Sequence, residues 1–235
     1  MMSVQTMQPG ARETAAGGPR QRYFYPYADN GGTVVAIAGD DFVVVASDTR
    51  LSSGYSIYTR DQKKTFQLSE RTILGSTGCW CDVLTMTKVL RARMQMYRHE
   101  HNKAMSTGAV AQLLSTMLYH KRFFPYYVSN VLAGLDENGK GIVYHYDPVG
   151  HHDPGKCYTG GSGGALIQPL LDNQINYKNQ ENVTPEPLTV KKTVSIIKDV
   201  FTSACERDIY TGDAVAIQVI TKDGITEELF PLRRD

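Results

Sequence analysis

Asn30-Gly31-Gly32-Thr33-Val34-Val35-Ala36-Ile37 opens the decisive stretch, which continues through Gly39-Asp40-Asp41 to Ala46-Ser47-Asp48-Thr49-Arg50. Residues 33–38 and 42–47 are apolar runs on either side of a Gly-Asp-Asp turn signal, a pattern that predicts a β-hairpin. Both runs are nearly continuous in apolar side chains rather than alternating. Such strands suit a sheet covered on both faces.

The pattern extends outward from this hairpin. Strands are predicted at 65–68 and 72–76, joined at Ser69-Glu70-Arg71. A helix follows over about 82–99, where Val83, Met86, Leu90, Met94 and Tyr97 recur every three or four residues. A second helix opens at a Ser106 or Thr107 cap and gathers Val110, Leu113, Leu114, Met117 and Leu118 on one face. Strands return at 128–135 and 141–146 around Asp136-Glu137-Asn138-Gly139, and residues 160–164 lead into a helix over 165–174. Thr189 caps a long helix striped with Val194, Ile197, Val200, Phe201 and Ala204. Strands at 214–221 and 225–230 close the chain around Lys222-Asp223-Gly224. Strand pairs joined as hairpins alternate with helix pairs, which excludes a parallel doubly wound sheet. The expected class is α+β, with two antiparallel sheets faced by helices.

Residues 1–21 carry Pro, Gly, Gln, Ala and three methionines without apolar periodicity. They are expected to be a disordered or removable leader, with residues 22–235 forming a single domain. The leader has no apolar core of the secretory type and too little amphipathic pattern for a mitochondrial transit peptide.

The chain has 235 residues, 41% hydrophobic and 21% charged, with a net charge of +1. That balance gives no electrostatic reason to expect nucleic acid or a membrane as partner. No apolar run approaches the ~20 residues of a membrane-spanning helix. Cys79-Trp80-Cys81 lacks metal or redox spacing and has no second pair, so the four cysteines are expected as buried free thiols. His151-His152-Asp153, near Cys157, lies in a segment with Pro and Gly and is expected as a solvated turn rather than a metal cluster. The run 160–164 lacks the Gly-Lys-Ser/Thr ending of a phosphate loop and is expected as a tight strand-to-helix turn.

The Gly-Thr step opening one strand and the Asp-Thr-Arg closing the next resemble the start of a mature β subunit of the proteasome. In active members of that family the chain is cut after a glycine. The exposed threonine then attacks the peptide carbonyl, with its own α-amine (ordinary pKa ~8) as general base. A lysine held by an aspartate eases deprotonation of the hydroxyl, and backbone N–H groups stabilise the oxyanion. The nucleophile lies sixteen residues before the aspartate and the lysine sixteen after it. Counted from Asp48, those positions are Gly32 and Lys64.

The resemblance covers nearly everything from Gly31 onward. Gly161-Ser162-Gly163 matches the turn that carries a supporting serine. Arg207-Asp208-Ile209-Tyr210-Thr211-Gly212 matches an Arg-Asp-x-x-Ser-Gly segment, with Thr211 in place of serine. The segments 120–128 and 168–174 point to a non-catalytic branch of the family. Thr33 is not expected to replace the missing nucleophile, because a one-residue shift moves a side chain ~3.3 Å and turns it to the opposite face.

The resemblance therefore implies a vestigial site of Gly32, Thr33, Asp48, Lys64, Ser162, Asp208 and Thr211, without catalytic residues, cofactor or metal. Asp48, Lys64 and Asp208 are expected to form an ion-paired network that holds the sheets in register. The resemblance also implies a four-layer αββα fold of the N-terminal nucleophile hydrolase kind. As partners it implies other β subunits in a seven-membered ring, an opposite β ring and an adjacent α ring, in cytoplasm and nucleus. The role would be structural, in assembly and in shaping the chamber used in ubiquitin-dependent degradation. The rival expectation is an active threonine peptidase that cuts itself between Gly32 and Thr33.

Overall fold

The computed structural model describes residues 24–235, so the expected leader at 1–21 lies outside the described residues. In chain order the elements are β1 (Thr33–Ala38), β2 (Phe42–Asp48), β3 (Leu51–Ser53), β4 (Ser56–Thr59), β5 (Thr65–Gln67) and β6 (Thr72–Gly78). Next come α1 (Trp80–His101), α2 (Thr107–His120), β7 (Val128–Leu135), β8 (Gly141–Tyr146), β9 (His152–Gly155) and β10 (Cys157–Gly161). The chain ends with α3 (Gly164–Gln174), α4 (Val190–Cys205), β11 (Ala214–Thr221) and β12 (Gly224–Pro231).

The opening hairpin forms with Val34 opposite Ser47 and Ile37 opposite Val44. It lies at the centre of a five-stranded sheet ordered β10-β1-β2-β11-β12. A second five-stranded sheet is ordered β5-β6-β7-β8-β9, and β3-β4 form a separate two-stranded ribbon. Every strand pairing is antiparallel.

The hairpin's unbroken apolar run has a direct cause in the layers. Val34, Ala36, Val43 and Val45 point at the second sheet and pack with Ile73, Val131, Ala133 and Val143. Val35, Ile37, Val44 and Ala46 point the other way, against Ile167 and Leu171 of α3 and Ile197 and Phe201 of α4. On the far side of the second sheet, Leu74 and Leu132 meet Met86 and Leu90 of α1 and Leu114 and Leu118 of α2. Three apolar cores thus separate four layers, helix–sheet–sheet–helix. Each fully buried Val, Leu or Ile in them contributes about 1.5–3 kcal/mol.

Helix ends follow local chemistry. Ser106 and Thr189 cap α2 and α4 by accepting from the N–H groups of Ala109 and Lys192. α1 starts two residues before its sequence expectation, and its N-cap Cys79 offers no side-chain bond. The missing acceptor arrives from far along the chain, because Asn30 Oδ1 takes the Trp80 N–H at 2.9 Å.

Two expectations need correction. His151-His152-Asp153 is not a simple surface turn, since residues from His152 onward form β9. β9 is an edge strand, where Pro154 can sit with no ladder bond lost on the open side. The cysteines are free, but only Cys79 and Cys157 are buried, while Cys81 is exposed. Cys81 stands two residues before the buried Val83 and so faces away from the core side of α1. The ribbon β3-β4 was not foreseen, and its second strand is mostly exposed.

Candidate functional site

The chain enters β1 through two glycines with φ of +63° and +91°, Gly31 and Gly32. Those angles direct position 32 at a single neighbour. A Cβ placed on Gly32 would lie 2.8 Å from Lys64 Nζ and Cδ and closer still to Cε. The lysine stem fills the volume that a side chain at this position would occupy. A Cβ on Gly31 would collide with Tyr210, so the approach is closed there too.

Lys64 lies just ahead of β5 and is completely buried, as is Asp48 at the end of β2. Their ion pair is 3.0 Å long. Lys64 Nζ also donates to the carbonyls of Asp48 at 3.1 Å and Arg50 at 2.6 Å, which uses all three of its protons. Asp48 accepts from the N–H groups of Thr33 at 2.8 Å, Arg50 at 3.2 Å and Gly212 at 3.4 Å. Burial pushes the Asp48 carboxyl up and the Lys64 amine down, and their mutual attraction with these hydrogen bonds opposes both shifts.

A second constellation surrounds Thr33. Its Oγ1 accepts from the Gly163 N–H at 3.0 Å and donates to Thr211 Oγ1 at 2.7 Å. Thr211 donates to Asp208 Oδ2 at 2.6 Å, and Ser162 donates to the same oxygen at 2.7 Å. Ser162 Oγ accepts the Gly32 N–H at 3.2 Å, while the Ser162 N–H holds the Gly32 carbonyl at 2.9 Å. The seven expected residues therefore converge, in two groups joined through the Thr33 N–H on Asp48 and the Gly32–Ser162 bonds. Position 32 is aimed at Lys64, whereas the Thr33 side chain is turned to the Thr211–Asp208 group near the start of α3.

The expected triple charge network is corrected in one member. Among the described residues Asp208 has no cationic partner, and its carboxylate is satisfied by hydroxyls and by the Tyr210 N–H. The anchoring acid is Asp213, two residues past Thr211, which pairs with Arg50 at 2.9 Å and Arg60 at 2.5 Å. Burial alone would raise the Asp213 carboxyl, but the two guanidinium groups outweigh it and hold the group below the ordinary range. Arg50 was already visible in the Asp-Thr-Arg stretch, yet nothing local identified its partner.

Sequence reasoning also missed Asn30. Its N–H donates to the Gly78 carbonyl at 3.1 Å, its Nδ2 donates to the Ser52 carbonyl at 3.0 Å, and its Oδ1 caps α1. Among the described residues no group of three or more His, Cys, Asp or Glu side chains is arranged to hold a metal ion.

Gly32 has no side chain, so position 32 presents no hydroxyl or thiol to the buried Lys64.

Residues 28–220 match the family model described as proteasome subunit. The chain belongs to the proteasome subunit family. Within the family it is 56% identical over 218 residues to proteasome subunit beta type-1 of Danio rerio, covering 93% of this chain and 92% of that protein. It is 56% identical over 214 residues to proteasome subunit beta type-1 of Drosophila melanogaster, covering 90% of this chain and 91% of the other. Against proteasome subunit beta type-1 of Arabidopsis thaliana the identity is 51% over 216 residues, covering 89% and 96%. The family assignment and the antiparallel four-layer architecture agree with the fold expected from the sequence.

Proposed function

We propose that this chain is a non-catalytic β subunit of the proteasome core particle, needed for assembly and for the walls of the proteolytic chamber. One observation carries the reading: the position aimed at the buried Lys64 is Gly32, and the lysine stem already fills the space a nucleophile would use. The proteasome subunits to which it is similar support membership of such a particle. In this reading the chain sits in a seven-membered β ring, against an opposite β ring and an adjacent α ring, in cytoplasm and nucleus.

The rival reading, self-processing between Gly32 and Thr33, meets a geometric obstacle. Thr33 Oγ1 is engaged by Gly163 and Thr211, away from Lys64. A displacement of ~1 Å can already cost about a hundredfold in rate.

The test uses an N-terminal-threonine-directed covalent inhibitor on the assembled particle, followed by mass spectrometry of the separated subunits. The expected result is that this chain carries no adduct while active neighbours do. An adduct on Thr33, or a new N-terminus there, overturns the reading.

A further inference from the structure

Among the described residues, five exposed aromatic side chains gather where the segment ahead of Asn30 meets the turn between α2 and β7. Phe123 is 94% exposed, Phe24 83%, Tyr25 68%, and Tyr119 and Phe124 57% each. Tyr25 and Phe124 contact Tyr27, and Tyr119 and Phe123 contact Arg122, so the adjacent residues Phe123 and Phe124 bring the two sets together along the chain. The Tyr27 ring lies 5.8 Å from Tyr25, 5.9 Å from Phe124 and 5.3 Å from Tyr127, and its hydroxyl donates to the Pro125 carbonyl at 2.7 Å. Arg122 sits 5.2 Å from the Tyr119 ring and 5.3 Å from Phe123, and donates to the Tyr119 hydroxyl at 2.7 Å.

Apart from Phe24, these rings are therefore held in place before any partner arrives, which lowers the entropy cost of docking. An aromatic side chain presents ~150–250 Å², so these five exposures together amount to roughly 500–900 Å². A standard protein interface takes about 800 Å² from each partner. The patch also has a sign. Residues 119–127 contain Lys121 and Arg122 but no acid, and among the described residues neither cation has a carboxylate partner. Asp29 and Asp82 keep their charge while accepting the Gly31 and Tyr127 N–H groups, so the positive excess is confined to the 119–127 turn itself.

We infer that this aromatic wall, built from Phe24, Tyr25, Tyr119, Phe123 and Phe124 around Arg122, is the face on which a different subunit of the particle docks. The partner surface it fits is apolar and edged with carboxylates that meet Arg122 and Lys121. Aromatic and arginine side chains of this kind carry most of the binding energy in protein interfaces. The inference rests on the reading of the chain as a particle subunit, and it adds which surface is buried and with what chemistry.

The test is Phe123→Asp in the full chain, tagged and expressed beside the other subunits, with incorporation read on native gels. Incorporation is expected to fall at least tenfold, while circular dichroism and thermal midpoint match wild type, because the side chain is outside every core. In parallel, a benzophenone photo-cross-linker at position 123 is expected to join this chain to another proteasome subunit close to an acidic stretch. Wild-type incorporation of Phe123→Asp overturns the inference alone. So does a cross-link only to a second copy of this chain, to lipid, or to nothing. A wild-type chain that never enters the particle removes the underlying reading as well. If Phe123→Asp disturbs folding, the cross-link decides by itself.

Discussion

Gly32→Ala is expected to destabilise the chain far more than a glycine-to-alanine change usually does. Two costs add. The first is backbone strain, because φ at Gly32 is +91°; holding an L-residue in such a region costs about 1–3 kcal/mol. The second is steric. Carbon atoms pack at ~3.5–4.0 Å, whereas the new Cβ would lie 2.8 Å from Lys64 Nζ and Cδ and nearer to Cε. A flexible lysine could normally swing aside, but this one is pinned by three acceptors at 2.6–3.1 Å. Overpacking of this kind costs about 1–3 kcal/mol, so the expected total is roughly 2–6 kcal/mol. If Lys64 were driven off Asp48 altogether, the loss would approach the ~3–5 kcal/mol of a broken buried pair.

The matched control is Gly54→Ala. Gly54 also has a positive φ, +56°, but nothing lies within 4 Å of its added Cβ. Only the strain component remains there. Denaturant unfolding of the two full-length variants against wild type measures the difference, which should be at least 1 kcal/mol. Equal destabilisation of the two variants would refute the claim that Lys64 fills the nucleophile's volume.

Two further outcomes are expected. Lys64→Met leaves Asp48 buried without its counter-ion, so incorporation into particles should slow or fall while peptidase activity per assembled particle stays unchanged; normal assembly with loss of one cleavage specificity would contradict this. Asp213 is held below the ordinary carboxylate range by Arg50 and Arg60, so its contribution is present above its unfolded pKa of ~3.9 and is lost as pH falls through the lower folded value. Unfolding midpoints measured between pH 6 and pH 2 should show that acid loss in wild type and a shallower slope in Asp213→Asn.

Much of the fold was legible because it rests on local rules. The hairpin at Gly39-Asp40-Asp41, the caps at Ser106 and Thr189, and the bounds of β7, β8 and β11 appear where the sequence placed them. Each is fixed by turn chemistry, capping or apolar periodicity within a few residues of chain. Asp48, Lys64, Ser162, Asp208 and Thr211 were identifiable by spacing along matching motifs, and so was the absence of a side chain at Gly32.

What the sequence could not supply were pairings made across the chain. Asn30 caps a helix that begins at Trp80, and Asp213 rather than Asp208 balances the arginines at 50 and 60. Pro154 sits in a strand because that strand lies at a sheet edge. The glycines at 31 and 32 read only as the step that opens a strand, yet their angles send position 32 into the stem of Lys64 and turn Thr33 towards Thr211. Motif spacing, read through the family resemblance, pointed to Gly32 as the position aligned with the nucleophile of active members. Only the three-dimensional packing decided what fills its place, because a side chain's direction depends on backbone angles and on neighbours brought in from distant strands.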